Sequence, residues 1–258
     1  MASGSNEYPD LETRLDFLGL SPSATLSAQR PQSPSRLFMA EVPARYCGKD
    51  RAAVSGGTVA SFTRLVSDED EQAVLDCDTY LQQYTDERFD RQTQWYEWLQ
   101  HYTKGFWYLG WIHQRPVMLE SRLVTLSEPI SDAVLKTLEP MADAAVYAAA
   151  MEAFEALKIN LKASLLLAEQ SGNERGRQFL TLPCSYDTDG RLTSSLIHSW
   201  YLAKVDSPRF LFFRWENHDI TLAQHFGTFT LDRSRFSEIE HAMRNKMKDR
   251  SRRFFERL

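Results

Sequence analysis

The sequence predicts an α/β or α+β fold: a mixed β-sheet with helices packed on it. Three observations point there. Amphipathic helical patterns alternate with runs of strand character. A hairpin turn with its own chemistry sits at residues 187–190, "DTDG". Thr-Leu strand ends pass through a polar cap into a helix twice, at "VTLSEPISDAVLKTL" and "FTLDRSRFSEIEHAM", which suggests two ββα-like repeated units.

The chain opens with a Ser/Pro-rich stretch over residues 1–60. Pro22, Pro31 and Pro34 break regular structure there. It is expected to be a flexible arm, with residues 61–258 forming one domain. Leu11, Leu15 and Leu18 share a face, so a short helix over 10–19 fits inside that arm. A firmer helix starts at Ser67, a good N-cap followed by acidic residues. Val74, Cys77, Leu81 and Tyr84 form its apolar stripe. The next helix carries Trp95, Leu99 and Tyr102 and is expected to end at Gly105. "FWYLGWIHQRPVML" and "SRLVTLS" read as strands. A helix before Pro140 and an Ala-rich helix follow. Then come five expected strands: "KASLLLAEQSG", "RQFLTLPCSY", "RLTSSLIHSWYLA", "RFLFFRWEN" and "DITLAQHFGTFTL". A final helix begins near residue 232.

Composition narrows the function classes. The formal net charge is −5 over 258 residues, so no basic field argues for nucleic acid. No run of about 18 apolar residues appears, and the N-terminus lacks the pattern of a secretory signal. Cytoplasmic location is expected, with peripheral membrane contact or signal-independent export as variants. Cys47, Cys77 and Cys184 are an odd, widely spaced set with no C-x-x-C, so disulfides and zinc are not expected. "SGGT" at 55–58 lacks the lysine of a phosphate loop. His218 and His225 are seven apart and make a poor metal pair.

The hairpin carries the one candidate site. In "FLTLPCSYDTDGRLTSSLIHSWYL", Gly190 suits a positive φ and Asp187 can bond the turn backbone. Closing the turn at Asp187 and Arg191 sets Cys184 opposite Ser194, Leu182 opposite Leu196 and Leu180 opposite His198. Leu180, Leu182, Cys184, Leu192, Leu196, Trp200 and Leu202 then share one apolar face. His198 lies roughly 13 Å from Cys184 along the strands, too far for a Cys-His dyad. A thiol in that setting keeps a high pKa; it is either a small buried hydrophobe or an acyl site sheltered from water.

These stretches, with "QWYEWLQHYTKGFWYLGWI" and "RFLFFRWENHDITLAQHFGTFTLDRSRFSEIEHAM", resemble the Evf-type virulence factor family of bacteria over about residues 67–247. The resemblance implies an α/β fold of unusual topology and a cysteine that carries palmitate as a thioester in an apolar cavity. Cys184 is the candidate by position, with Cys77 second. It implies a virulence-associated, acyl-binding protein with a fatty acyl chain as partner and no cofactor beyond covalent palmitate; the host partner is unknown. Leu180, Leu182, Leu196 and Trp200, with Trp107 and Trp111 from the aromatic run, would line the pocket. A cysteine-dependent acyltransferase and an interaction protein without lipid are the alternatives. The basic helix end, with Lys246, Lys248, Arg250, Arg252, Arg253 and Arg257, reads either as an anionic-membrane contact or as a solvated helix terminus.

Overall fold

The computed structural model describes residues 8–21, 44–46, 51–118, 124–125, 128–173, 176–203, 210–212 and 220–255. Among them are seven helices: α1 (Leu11–Phe17), α2 (Asp68–Asp86), α3 (Trp95–Tyr108), α4 (Ile130–Leu138), α5 (Ala144–Ile159), α6 (Leu161–Gln170) and α7 (Arg233–Phe255). The strands are β1 (Ala44–Tyr46), β2 (Arg51–Ser55), β3 (Thr58–Phe62), β4 (Trp111–Met118), β5 (Val124–Thr125), β6 (Gly172–Asn173), β7 (Gly176–Tyr186), β8 (Leu192–Ala203) and β9 (Ile220–Leu231). They build one mixed sheet in the order β1-β2-β3-β7-β8-β9-β4, with β5 added to β9 and β6 to β7. Among the described residues only β3 and β7 run parallel; the other pairs are antiparallel.

The sheet separates two apolar cores, and strand alternation assigns residues to each. Leu180, Leu182, Cys184, Leu192, Leu196 and Phe229 point into the core beneath α1, α2, α3 and α7. Phe179, Ile197, Tyr201 and Leu222 point the other way, toward α4, α5 and α6. The hairpin closes as its turn residues require. Gly190 takes φ 75° and its N–H reaches Asp187 O at 3.0 Å, while Asp187 N–H reaches Arg191 O at 2.9 Å. The register pairs Cys184 with Ser194 and Leu180 with His198. Trp200 and Leu202 end the face at its open side, and Leu202 is exposed.

Several expectations need correction. Residues 51–60 are not part of a loose arm. β2 and β3 lie inside the sheet, with Ala53 and Ala60 fully buried. α1 is anchored too. Arg14 is 1% exposed and its guanidinium donates to Tyr108 O at 2.9 Å, Arg235 O at 2.5 Å and Glu238 at 2.5 Å. The remaining Ser/Pro-rich positions, 1–7, 22–43 and 47–50, lie outside the described residues.

Gly105 does not end α3. The helix continues to Tyr108, and Gly105 lies where α3 crosses α2. A Cβ there would meet Leu81 Cδ2 at 2.3 Å, so the glycine serves close helix packing, not termination. Trp107 is consequently helical, and the strand starts only at Trp111. "KASLLLAEQSG" is helical as α6, because Ala163, Ser164, Leu167 and Ala168 repeat at helical spacing against the sheet; its short apolar run suits either period. Phe210–Phe212 is a 3-10 turn, and residues 213–217 of the expected strand lie outside the described residues.

Two ββα-like units do not emerge among the described residues, because the pairing of the strands does not follow the repeat. β4 and β5 pair with β9, not with each other, and among the described residues the strand of the second unit is β9. The two helices that follow the Thr-Leu ends, α4 and α7, pack on opposite faces of the sheet.

Candidate functional site: a buried thiol face and a histidine pair

Cys184 sits in the strand just before the hairpin. Its neighbours across the sheet are Phe62 on β3 and Ser194 on β8. The sulfur is fully enclosed, and its S–H donates to Leu182 O at 3.5 Å. Burial pushes the thiol up to about 12, against the opposing pull of the Ser194 hydroxyl. At neutral pH it is the protonated thiol, a weak nucleophile. Cys77 lies in the same core, also fully enclosed. Burial pushes it up as well, partly opposed by the Trp111 indole N–H.

The expected pocket residues divide. Leu180, Leu182 and Leu196 do share the face of Cys184, at 0–2% exposure. They are packed as core and do not line an open hollow. Trp111 is in that core but stands beside Cys77. Trp107 packs edge-on against Tyr8 and His113, away from the thiol. Trp200 stacks on Trp95 at the other end of β8. The described residues do form a cleft of about 380 Å³, lined among others by Tyr186, Leu192, Leu231 and Asp70. It lies at the hairpin end of the thiol face, beyond Cys184.

Neither His198 nor His113 reaches the sulfur. His198 is opposite Leu180, four residues along. His113 occupies the row of Cys184, but Ser194 and Phe229 intervene, about 14 Å of sheet width. His225 pairs with His198, and His218 lies outside the described residues.

Two polar clusters went unread in the sequence. The first centres on Asp78, a fully buried carboxylate of α2. Oδ1 accepts from Thr58 Oγ1 at 2.9 Å and from Tyr102 OH at 2.6 Å, and Oδ2 accepts from Gln82 Nε2 at 2.8 Å. Burial raises Asp78 to about 6 despite those hydrogen bonds. Gln82 also receives Gly57 N–H at 3.0 Å and Arg91 Nη2 at 2.7 Å. "SGGT" is thus the β2–β3 turn, held onto α2 by Gln82.

The second cluster is His198 on β8 and His225 on β9, with Nδ1 atoms 3.3 Å apart. Gln178 Nε2 donates to Arg91 O at 2.9 Å, so its Oε1 is the acceptor that faces His198 Nε2 at 2.7 Å. His198 therefore carries its proton on Nε2, and His225 donates through Nδ1. Trp95 covers both rings, with centroids at 6.0 and 5.4 Å. Burial holds His198 well below its ordinary value, with the neighbouring His225 and Arg91 charges acting the same way; burial also lowers His225. The signal for this pair was the β8–β9 register, which single-strand patterns do not supply.

No group of three or more His, Cys, Asp or Glu suited to a metal occurs among the described residues. No helix among them is long and apolar enough to cross a membrane. Lys246 and Lys248 lie on α7; the side chains of Arg250, Arg252, Arg253 and Arg257 lie outside the described residues. Comparison with protein-family models, curated proteins and solved structures finds no match.

Proposed function

We propose that the chain carries a long-chain acyl group as a thioester on Cys184, as its resemblance to the Evf-type virulence factors implies. The observation that supports this is the position of the sulfur: enclosed, dry, and on one face with Leu180, Leu182 and Leu196. A thioester there is shielded from hydrolysis. The same enclosure means that the acyl chain takes its space from packed side chains, so loading goes with a rearrangement of the core under α2.

The raised thiol pKa and the distance of His198 and His113 favour a carrier over a transferase. A second reading, an interaction protein without lipid in which Cys184 is a small buried hydrophobe, is favoured by its complete burial among core side chains. Intact mass separates them. The carrier reading expects a palmitate-sized addition on the purified protein, removed by hydroxylamine and absent from Cys184→Ser. An unmodified mass after expression in the native host, with no uptake from palmitoyl-coenzyme A, overturns it.

A further inference from the structure

His198 and His225 stand directly opposite each other on β8 and β9, at 0 and 1% exposure. Their Nδ1 atoms are 3.3 Å apart. Gln178 keeps the His198 proton on Nε2, so one hydrogen lies between the rings and His225 holds it. Such a pair has a limited proton capacity. A first added proton can sit on Nε2 of His225 and leaves the N–H···N bond in place. A second must go to Nδ1 of His198, where it meets the His225 N–H. Both facing nitrogens then carry hydrogens, both rings are cations, and no acceptor lies between them.

The groups packed against the pair do not offset such charge. Gln178 on β7, Trp200 on β8 and Trp95 on α3 are neutral. Arg91, in the connection between α2 and α3, is itself a cation and acts against a charged His198. The carboxylates flanking that connection are engaged elsewhere. Asp86 accepts from Arg91 Nε and from Trp98 Nε1, both at 2.7 Å. Asp90 accepts the Gln92 and Thr93 N–H groups at 2.8 and 2.9 Å. Glu97 is exposed. The start of α3 lies over the rings, and a helix N-terminus also disfavours a cation. Trp95 is its first residue, and Gln94 before it makes no side-chain cap. The Trp95 ring covers His198, His225 and Trp200, with centroids at 6.0, 5.4 and 6.0 Å. Beside this stack, Gln178 Nε2 ties the connection to the sheet through Arg91 O at 2.9 Å.

We infer that His198, His225 and Trp95 form an acid-sensitive latch: the rings stay together while at most one added proton is shared between them, and a second proton drives them apart and releases the first turn of α3 from the sheet. In the open state both rings reach water and each takes a proton below about pH 6.5. The closed state refuses them, so acid favours opening. Release bares the faces of Trp95 and Trp200, which the closed stack covers. The latch is independent of the acyl-carrier reading, since no part of it touches Cys184.

Hydrogen exchange of the full chain from pH 7.5 to 5, read by peptide mass and corrected for the intrinsic pH dependence of exchange, tests the latch. The reporter is the first turn of α3, where Trp98 N–H bonds Gln94 O at 2.8 Å. The reference is α5, which packs on the opposite face of the sheet. Below about pH 6.5, protection at the reporter should fall by up to about a hundredfold per pH unit, because opening takes up two protons. Protection in α5 should fall less. His225→Gln leaves one titrating ring and should reduce the slope at the reporter to about tenfold per pH unit. His198→Asn, measured beside it, should do the same. If reporter and reference lose protection in parallel, acid unfolds the whole chain and the inference falls. It falls equally if the reporter is insensitive to pH, or if both variants keep the slope of the wild type.

Discussion

The two faces of the sheet are built by different means. The face under α4, α5 and α6 is mainly apolar, with Thr181, Ser199 and Gln224 buried at its strands: Ala150, Ala153, Phe154, Leu157, Ala163 and Leu167 pack on Val54, Val59 and Ile197. Small alanines let these helices lie close to the strands, and dispersion does the work. The face under α1, α2, α3 and α7 is equally buried, yet it holds Asp78, Tyr102, His198, His225, Cys77 and Cys184. Titratable groups gathered on one face, each with its charged form disfavoured, mark that face as the candidate for chemistry. They also make it the brittle one, since each buried polar group depends on named partners.

A shape-conserving change should separate the faces most sharply. Asp78→Asn keeps the volume but replaces an acceptor oxygen with donors, so that Thr58, Tyr102 or Gln82 loses its partner. Roughly 3 kcal/mol of stability should be lost, read from the urea midpoint. A loss under 1 kcal/mol would show that Asp78 is already protonated and weakly used. Next is Gly105→Ala, where the added methyl meets fully buried Leu81 at the α2–α3 crossing. A loss of about 2 kcal/mol is expected despite the better helix propensity. A gain would mean that α2 and α3 can separate freely.

Acid should act on the polar face alone. His198 and His225 are neutral when folded, because their folded pKa values are depressed. Below about pH 6.5 the unfolded chain binds protons that the folded chain refuses. Stability therefore falls as pH drops below 6.5, by up to about 1.4 kcal/mol per pH unit for each such histidine. His101, lowered to about 4, and His113, also lowered, pull the same way. Asp78 opposes them. Its folded pKa is raised to about 6, so it contributes stability below the unfolded value that is lost as pH rises through 6. Urea midpoints from pH 7.5 to 5 should fall in the wild type and fall less in His198→Asn; parallel curves would remove the histidine pair from the account. The smallest effect belongs to the mainly apolar face. Phe154→Leu should cost about 1 kcal/mol, with no dependence on pH between 5 and 7.5.

Local chemistry in the sequence was enough for the parts whose cause is local. Ser67 caps α2 and accepts Asp70 N–H at 3.1 Å. The turn at 187–190 fixes the β7–β8 register because Gly190 alone suits its backbone and a slip would turn Leu182 and Cys184 to the wrong side. The side chains that share the thiol face follow from that register by alternation. The repeat was misread because matching Thr-Leu ends say nothing about which strand each end pairs with.

What the sequence determined by itself was a mixed α/β architecture, most helix starts, one hairpin register and the burial of Cys184, since caps, turn geometry and two-residue alternation act over a few positions. Only tertiary structure decided that β3 lies beside β7, that Gly105 is a helix crossing, that His198 meets His225, and that the cleft ends one row short of the sulfur. Each of these depends on which distant segments come together, and that is settled by packing summed over the whole sheet.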